Sequence, residues 1–287
     1  MKRNNVYCST GTTVSRRNGY NIHLVTELFP PLLEQGIIDG AEWMMLPVYY
    51  TQMRAIADEW LGAGLKFPVI HCEKEVGTLL SNAGRTAAEG DKDTSDTLLR
   101  RSLDDFKMNC EMGAMAGSKR MVLHLWGGTD SDSHVEYNMS VLPRLCEITR
   151  TYGMRLLIEN VPCTTHDPLS NWQAMRPHLN ECGLIFDTRF GFFHRQIEEI
   201  WQAEDVHPHI EHIHIGDIRG EKRDFTSLRP IYHPGEGMVD FSKVARILRQ
   251  KKYTGSITLE SPVATDGGAD GCKLAASLRT VRELFDY

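Results

Sequence analysis

Short runs of branched and aromatic residues recur along the chain. They are separated by longer stretches whose apolar residues fall three and four positions apart. The runs at 6–9, 40–46, 67–72, 120–125, 155–160, 183–188, 211–216 and 256–260 predict strands. Between them, Leu24, Leu28 and Leu32, and later Val244, Ile247 and Leu248, repeat at helical spacing. Gly36, Gly64, Gly153 and Gly255 each stand where a helix should stop before the next strand. Strands each followed by a helix predict an α/β chain folded as a (β/α)8 barrel, and 287 residues is a typical length for one. No Pro- or Ser-rich linker interrupts the pattern, so residues 1–287 read as one domain. A doubly wound sheet is the alternative, but the first turn lacks G-x-G-x-x-G and the strand count fits a closed barrel better.

Four of these runs end in a metal-ligand type of residue. They are Leu156-Leu157-Ile158-Glu159-Asn160, Leu184-Ile185-Phe186-Asp187-Thr188, Glu211-His212-Ile213-His214-Ile215-Gly216-Asp217 and Ser256-Ile257-Thr258-Leu259-Glu260. A carboxylate beside apolar neighbours is costly unless its charge is compensated. One such residue is most simply a helix cap or a loop acid. Four in succession, at strand ends that a barrel gathers on one face, point to a shared divalent cation. Two Glu, one Asp and one His form an oxygen and nitrogen set suited to Mn, Co, Mg or Zn. The expected ligands are therefore Glu159, Asp187, His214 and Glu260.

Other candidates belong to the same face. His71 and His124 end strands three and four, where they contact substrate, hold a second metal or serve as hydrogen-bonded structural residues. Glu42 in strand two either points inward or is a solvated acid. His212 shares a strand face with His214 and is expected deeper, packed and hydrogen-bonded. After strand seven, Arg219, Lys222, Arg223 and Arg229 offer charge to a phosphate or carboxylate, Arg219 lying closest to the strand end. His233, in His233-Pro234-Gly235-Glu236-Gly237, is a further substrate contact. Trp126, Phe190, Phe192 and Phe193 suggest an apolar wall of a sugar site or a barrel core. The loop Asp266-Gly267-Gly268-Ala269-Asp270-Gly271 is a weak anion cradle. No G-x-S-x-G, P-loop or H-E-x-x-H pattern occurs.

Composition narrows the function classes. The chain is 41% apolar and long enough to bury a sizeable core, with no run near membrane-span length. A net charge of −6 argues against a general nucleic-acid binder. Seven cysteines without C-x-x-C spacing read as reduced thiols. With no signal-peptide pattern at Met1-Lys2-Arg3-Asn4-Asn5, the expectation is a cytoplasmic protein. A homo-oligomer is left open.

These motifs resemble the xylose isomerase-like barrel superfamily, which includes sugar isomerases and epimerases, inosose dehydratase-type enzymes and endonuclease IV-type nucleases. The resemblance spans nearly the whole chain. It is most specific at Ile158-Glu159-Asn160, Phe186-Asp187-Thr188, His212-Ile213-His214-Ile215-Gly216-Asp217, His233 to Phe241, and Leu259-Glu260. It implies one divalent metal on Glu159, Asp187, His214 and Glu260, with Glu159 and Glu260 also exchanging protons with substrate carbon. It places His71 and His124 at positions that bind metal in the nucleases. One departure stands out: Asp-Thr-x-His is usual after strand six, whereas this chain reads Asp187-Thr188-Arg189-Phe190, with His194 four residues later. The expected activity is that of a metal-dependent isomerase or epimerase acting on a sugar or polyol. A dehydratase or lyase is the alternative, and a phosphodiesterase a more distant one.

Overall fold

The computed structural model describes residues 3–221 and 223–285, so Met1, Lys2, Lys222, Asp286 and Tyr287 lie outside the described residues. Its centre is a closed parallel barrel of strands β1 (Val6–Ser9), β2 (Gly40–Met44), β3 (Val69–His71), β4 (Arg120–Leu123), β5 (Arg155–Glu159), β6 (Gly183–Asp187), β7 (Ile210–Ile215) and β8 (Ser256–Leu259). Each strand pairs with the next in sequence, and β8 pairs with β1 to close the ring. Parallel neighbours need a crossover, which the intervening helices supply. The (β/α)8 expectation is met.

Helices α1 (His23–Glu34) and α2 (Met53–Gly62) follow the first two strands. The gap after β3 holds two helices, α3 (Glu75–Ala88) and α4 (Lys92–Ala116), where the apolar pattern predicted one. Gly90, at φ 84°, breaks them apart, and the Asp91 side chain caps α4 by accepting from Thr94 N. Then come α5 (Val135–Thr151), α6 (Pro168–Ala174), the short α7 (Thr188–Phe193) and α8 (Ile197–Gln202), α9 (Phe241–Gln250) and α10 (Gly271–Phe285). Leu24 and Leu32 of α1, and Val244 and Leu248 of α9, are buried against the barrel, as their spacing requires.

Gly36, Gly64 and Gly153 adopt the left-handed conformation that closes a helix. Gly255 does not. After α9 that conformation falls to Lys252, at φ 53°. Gly255 is small for a different reason: a Cβ there would lie 2.2 Å from the Tyr253 hydroxyl and 2.5 Å from the Glu211 carbonyl oxygen. The loop at 266–271 forms a tiny hairpin between Ala264–Thr265 and Gly268–Ala269, and Asp270 caps α10 through Lys273 N. Its acidic ends are thus used for turning and capping.

Inside the barrel, Tyr7, Val69, Val122, Leu157 and Ile185 make one apolar layer. Outward-facing strand residues such as Ile70, Met121, Ile158 and Phe186 pack under the helices in the larger core. Strands alternate their faces, so the polar residues remaining inside are stacked toward the C-terminal mouth. No helix among the described residues is long and apolar enough to cross a membrane.

One tie between loops at the mouth was not foreseen. Asp132, in the loop after β4, is fully buried and accepts from the backbone N–H groups of Thr164, Thr165 and His166 in the loop after β5. Burial alone would raise its pKa, but these three donors and Asn171 outweigh it and bring the carboxyl down to about 2. A carboxylate depressed in the folded state stabilises above its unfolded pKa and loses that stabilisation as pH falls toward 2. Asp132→Ala is therefore expected to lower unfolding free energy by about 2–4 kcal/mol at neutral pH. Urea denaturation checks this, with the gap between parent and variant narrowing from pH 5 to pH 2.

Candidate active site

The polar interior begins at Glu42 of β2, which is completely buried. Its Oε2 lies 2.8 Å from His212 Nε2 and accepts from the Thr258 hydroxyl at 2.8 Å, while Oε1 lies 2.9 Å from His214 Nε2. His212 is completed by Ser256 Oγ, 2.6 Å from Nδ1. Burial pushes the Glu42 carboxyl up, but His214 and His212 overcome it and hold it well below the usual carboxylate range. Glu42 thus points inward, and His212 occupies the deeper, fully hydrogen-bonded position.

This pairing orients His214. With Nε2 committed to Glu42, Nδ1 faces the mouth, 2.9 Å from Glu159 Oε1 and 3.5 Å from Glu260 Oε1. Burial lowers the affinity of His214 for a proton, yet Glu260, Glu42 and Glu159 together raise its pKa well above the ordinary value. Glu159 ends β5, and its Oε2 sits 2.5 Å from His124 Nε2 and 3.4 Å from His71 Nε2. His71 Nδ1 is 2.7 Å from the Cys72 carbonyl oxygen, so a neutral His71 turns the Nε2 lone pair toward the carboxylate. Burial dominates at His124 and pushes it down to about 4, although Glu159 pulls the other way.

Asp187 ends β6 and caps α7: its Oδ1 accepts from Arg189 N at 2.6 Å and from Phe190 N at 3.2 Å. Arg189 then folds back across the cap. Its Nη2 donates to Asp187 Oδ2 at 2.6 Å and reaches Glu260 Oε2 at 3.3 Å, while the guanidinium lies 4.6 Å over the Phe190 ring. Burial raises the Asp187 pKa to about 6, Arg189 opposing and Glu159 and Glu260 adding to the rise. Glu260 stands one residue beyond β8, and its Oε1 is buried with no hydrogen-bond partner among the described residues.

The four expected ligands therefore converge. One donor atom from each of Glu159, Asp187, His214 and Glu260 lies within 4.8 Å of the others. His71, Glu159 and His214 form an overlapping group of the same kind. Around an ion with bonds of about 2.0–2.2 Å, donor atoms sit roughly 3–4 Å apart, so a modest contraction completes such a site. Above it opens a cavity of about 310 Å³, with Glu260, Arg189, Lys74 and Arg229 in its walls and apolar surface from Met44, Leu46 and Ile231.

Other expected contacts fall elsewhere. Arg219 donates to the Glu236 carbonyl oxygen at 2.6 Å, stacks on Tyr232 and does not line the cavity. His233 is held by Ser277 Oγ and the Pro262 carbonyl oxygen, at 2.6 and 3.2 Å. The loop that contains it is anchored by Asp217, which accepts from Gly235, Gly237 and Val239 N–H groups. Trp126 and Phe193 are fully buried core residues, and the cavity's apolar lining comes from other side chains. His194 accepts from Cys163 N at 3.0 Å and does not replace the histidine absent at Phe190.

Sequence reasoning passed over Lys74, although its place three residues past β3 puts it at the catalytic face. It also gave Arg189 no role. The available signal was a single cation directly after Asp187-Thr188 and before the apolar run Phe190-Gly191-Phe192-Phe193.

Residues 54–284 match the family model described as xylose isomerase-like TIM barrel. The chain belongs to that family. Among curated proteins it is similar to an inosose dehydratase of Yersinia enterocolitica, 25% identical over 133 residues, which is 41% of this chain and 44% of that protein. Among solved structures it is similar to D-allulose 3-epimerase from Methylomonas sp., with a TM-score of 0.65, 15% identity and 99% of each chain covered. The zinc-bound IOLI protein gives a TM-score of 0.64 at 18% identity, covering 98% of this chain and 96% of that one. At these identities the structural likeness establishes the shared barrel.

Glu42 is the hub of the buried network. Glu42→Ala leaves His212 and His214 without their acceptor and is expected to cost about 3–5 kcal/mol of stability. Glu42→Gln, which keeps one acceptor oxygen, should cost less. Denaturant titration of the three proteins measures both; equal stability across them would remove Glu42 from this role.

Proposed function

We propose that the protein is a divalent-metal-dependent isomerase or epimerase acting on a sugar or sugar-like polyol by proton transfer next to a carbonyl. The observation that carries this reading is the convergence of Glu159, Asp187, His214 and Glu260 below an open cavity. The donor set fits a divalent ion on its own chemistry. Three carboxylates crowd one imidazole, and the buried Glu260 Oε1 has no hydrogen-bond partner among the described residues, only His214 Nδ1 at 3.5 Å. Similarity to D-allulose 3-epimerase and to a zinc-bound barrel supports the same class.

Glu159, Asp187, His214 and Glu260 would hold the ion. When bound, it would polarise a carbonyl and a neighbouring hydroxyl, lowering the cost of the charge that develops as a proton leaves carbon. The chain's own residues do the rest. Glu260, which lines the cavity, would take the proton from substrate carbon, and Glu159, buried beside it, would be the second carboxylate that returns one. Glu42 holds His214 in the tautomer that offers Nδ1, as the partners of metal-bound histidines generally do. Arg189 offsets Asp187 and Glu260 without occupying Glu260 Oε1. His124, pushed down to about 4 by burial, would steady the Glu159 carboxylate through Nε2.

The partial similarity to inosose dehydratase keeps a second outcome in view. The same deprotonation followed by loss of a β-hydroxyl would make the enzyme a dehydratase.

About one divalent ion per chain is expected, and Glu159→Gln and Asp187→Asn should each weaken its retention by tenfold or more. Elemental analysis and metal titration measure this; undiminished binding in both variants would move the site. Glu260→Gln should lower turnover by at least about 10²-fold. Ketoses and inososes incubated with the metal-loaded enzyme separate the outcomes, since an epimer or isomer retains the elements of water and a dehydratase product loses them.

A further inference from the structure

The cavity above the four-residue cluster is unusually basic for a chain of net charge −6. Its charged lining residues are Arg16, Lys74, Arg189, Arg229 and a single acid, Glu260. Arg189 is already spent on Asp187 and Glu260. Lys74 and Arg229 are different: neither side chain makes a hydrogen bond or ion pair within the described residues.

Their placement is specific. Lys74 follows β3 and Arg229 follows β7, so the two approach the mouth from opposite sides of an eight-stranded ring. They nonetheless feel one another. Lys74 and Arg229 both reach solvent at the cleft, where the crowding of protein around Lys74 lowers its pKa, Glu260 opposing and Arg229 and Arg189 adding to the fall. Arg229 is likewise lowered by desolvation and by Arg189. Two exposed cations that line one small cleft repel, and the acid beside them, Glu260, is already shared with Arg189. A divalent ion with Arg189 would offset the carboxylates of Glu159, Asp187 and Glu260, leaving Lys74 and Arg229 with no carboxylate partner of their own among the described residues.

Resting on the sugar-site reading above, we propose that the substrate carries an oxyanion, a carboxylate or a phosphate monoester, gripped between Lys74 and Arg229. The anion relieves the repulsion between the two cations and sets the polyhydroxylated chain over Glu260. The cavity's volume of about 310 Å³ is at the small end of ligand pockets and suits a monosaccharide acid or phosphate. Arg229 supplies a planar fork and Lys74 a point charge, a combination that holds either oxyanion.

The test uses the metal-loaded protein and matched ligands: D-fructose and D-tagatose, each as the neutral ketose, the 6-carboxylate and the 6-phosphate. Calorimetric affinity is expected to be at least about tenfold greater for one anionic form than for its neutral parent. Preference for carboxylate or for phosphate identifies which oxyanion the site takes. Lys74→Met and Arg229→Met should each remove about tenfold more affinity from the anion than from the neutral ketose, with metal content retained. Lys243→Met, an equal loss of charge at a distant ion pair with Glu198, should change neither. Neutral ketoses that bind as well as both anions, or variants that weaken all forms equally, would overturn the inference while leaving the sugar-site reading intact. Failure of all six ligands to bind metal-loaded protein overturns it too, and failure to take up metal at all removes the reading beneath it.

Discussion

Charge compensation at the C-terminal mouth is the constraint around which the rest of the structure is arranged. Glu42, Glu159 and Asp187 are buried within one barrel, and Glu260 borders them. Carboxylates so crowded and desolvated cannot all ionise without cations close by. The protein supplies His214 between three of them and Arg189 between two. Burial pushes Asp187 up to about 6 even with Arg189 opposing, Glu159 and Glu260 adding to the rise. Glu159, Asp187, His214 and Glu260 form a group that could hold a metal ion. The apolar barrel layer below and the loop ties above, including Asp132 and Asp217, hold these groups where relaxation away from one another is blocked.

Arg189 gives this site its individual character. Where the family resemblance leads one to expect a histidine two residues beyond Asp187-Thr188, the chain has Phe190, and that ring underlies the Arg189 guanidinium. An arginine at this point cannot act as a neutral ligand or as a proton carrier, because it stays charged at any working pH. Its effect is electrostatic. It reduces the negative charge of the cluster on the cavity side, and with Lys74 and Arg229 it turns the mouth of an acidic protein into a basic cleft.

The histidines divide by depth. His212 is enclosed by Glu42, Ser256 and Thr258, which engage both of its ring nitrogens. His214, one pleat nearer the mouth, is held by Glu42 on its deep side and turns Nδ1 to Glu159 and Glu260. His71 and His124 flank Glu159 and carry the polar surface toward β3 and β4. The order follows from strand alternation: residues two apart share the interior, and each step of two moves one layer toward the cavity.

The barrel was legible in the sequence because period-2 and period-3.6 patterns are local and survive any change of environment. Strand-terminal Glu159, Asp187, His214 and Glu260 were legible too, since barrel topology converts position along a strand into position on the active-site face. The tertiary structure decided what depends on the direction of a long side chain. Arg219 lies nearer its strand end than Arg229, yet Tyr232 and the Glu236 carbonyl hold it away, while Arg229 enters the cleft. Lys74 carries no motif and Asp132 sits in an unremarkable loop; their roles arise from partners across the barrel mouth. His233 belongs to a recognisable motif, but its ring is consumed by Ser277 and Pro262. Sequence alone determined which backbone positions meet at the mouth, because the hydrogen-bonded ladder of the barrel sets them. Which side chains face the cavity was settled only in three dimensions, where flexible cations follow the acceptors and charges that packing brings within reach.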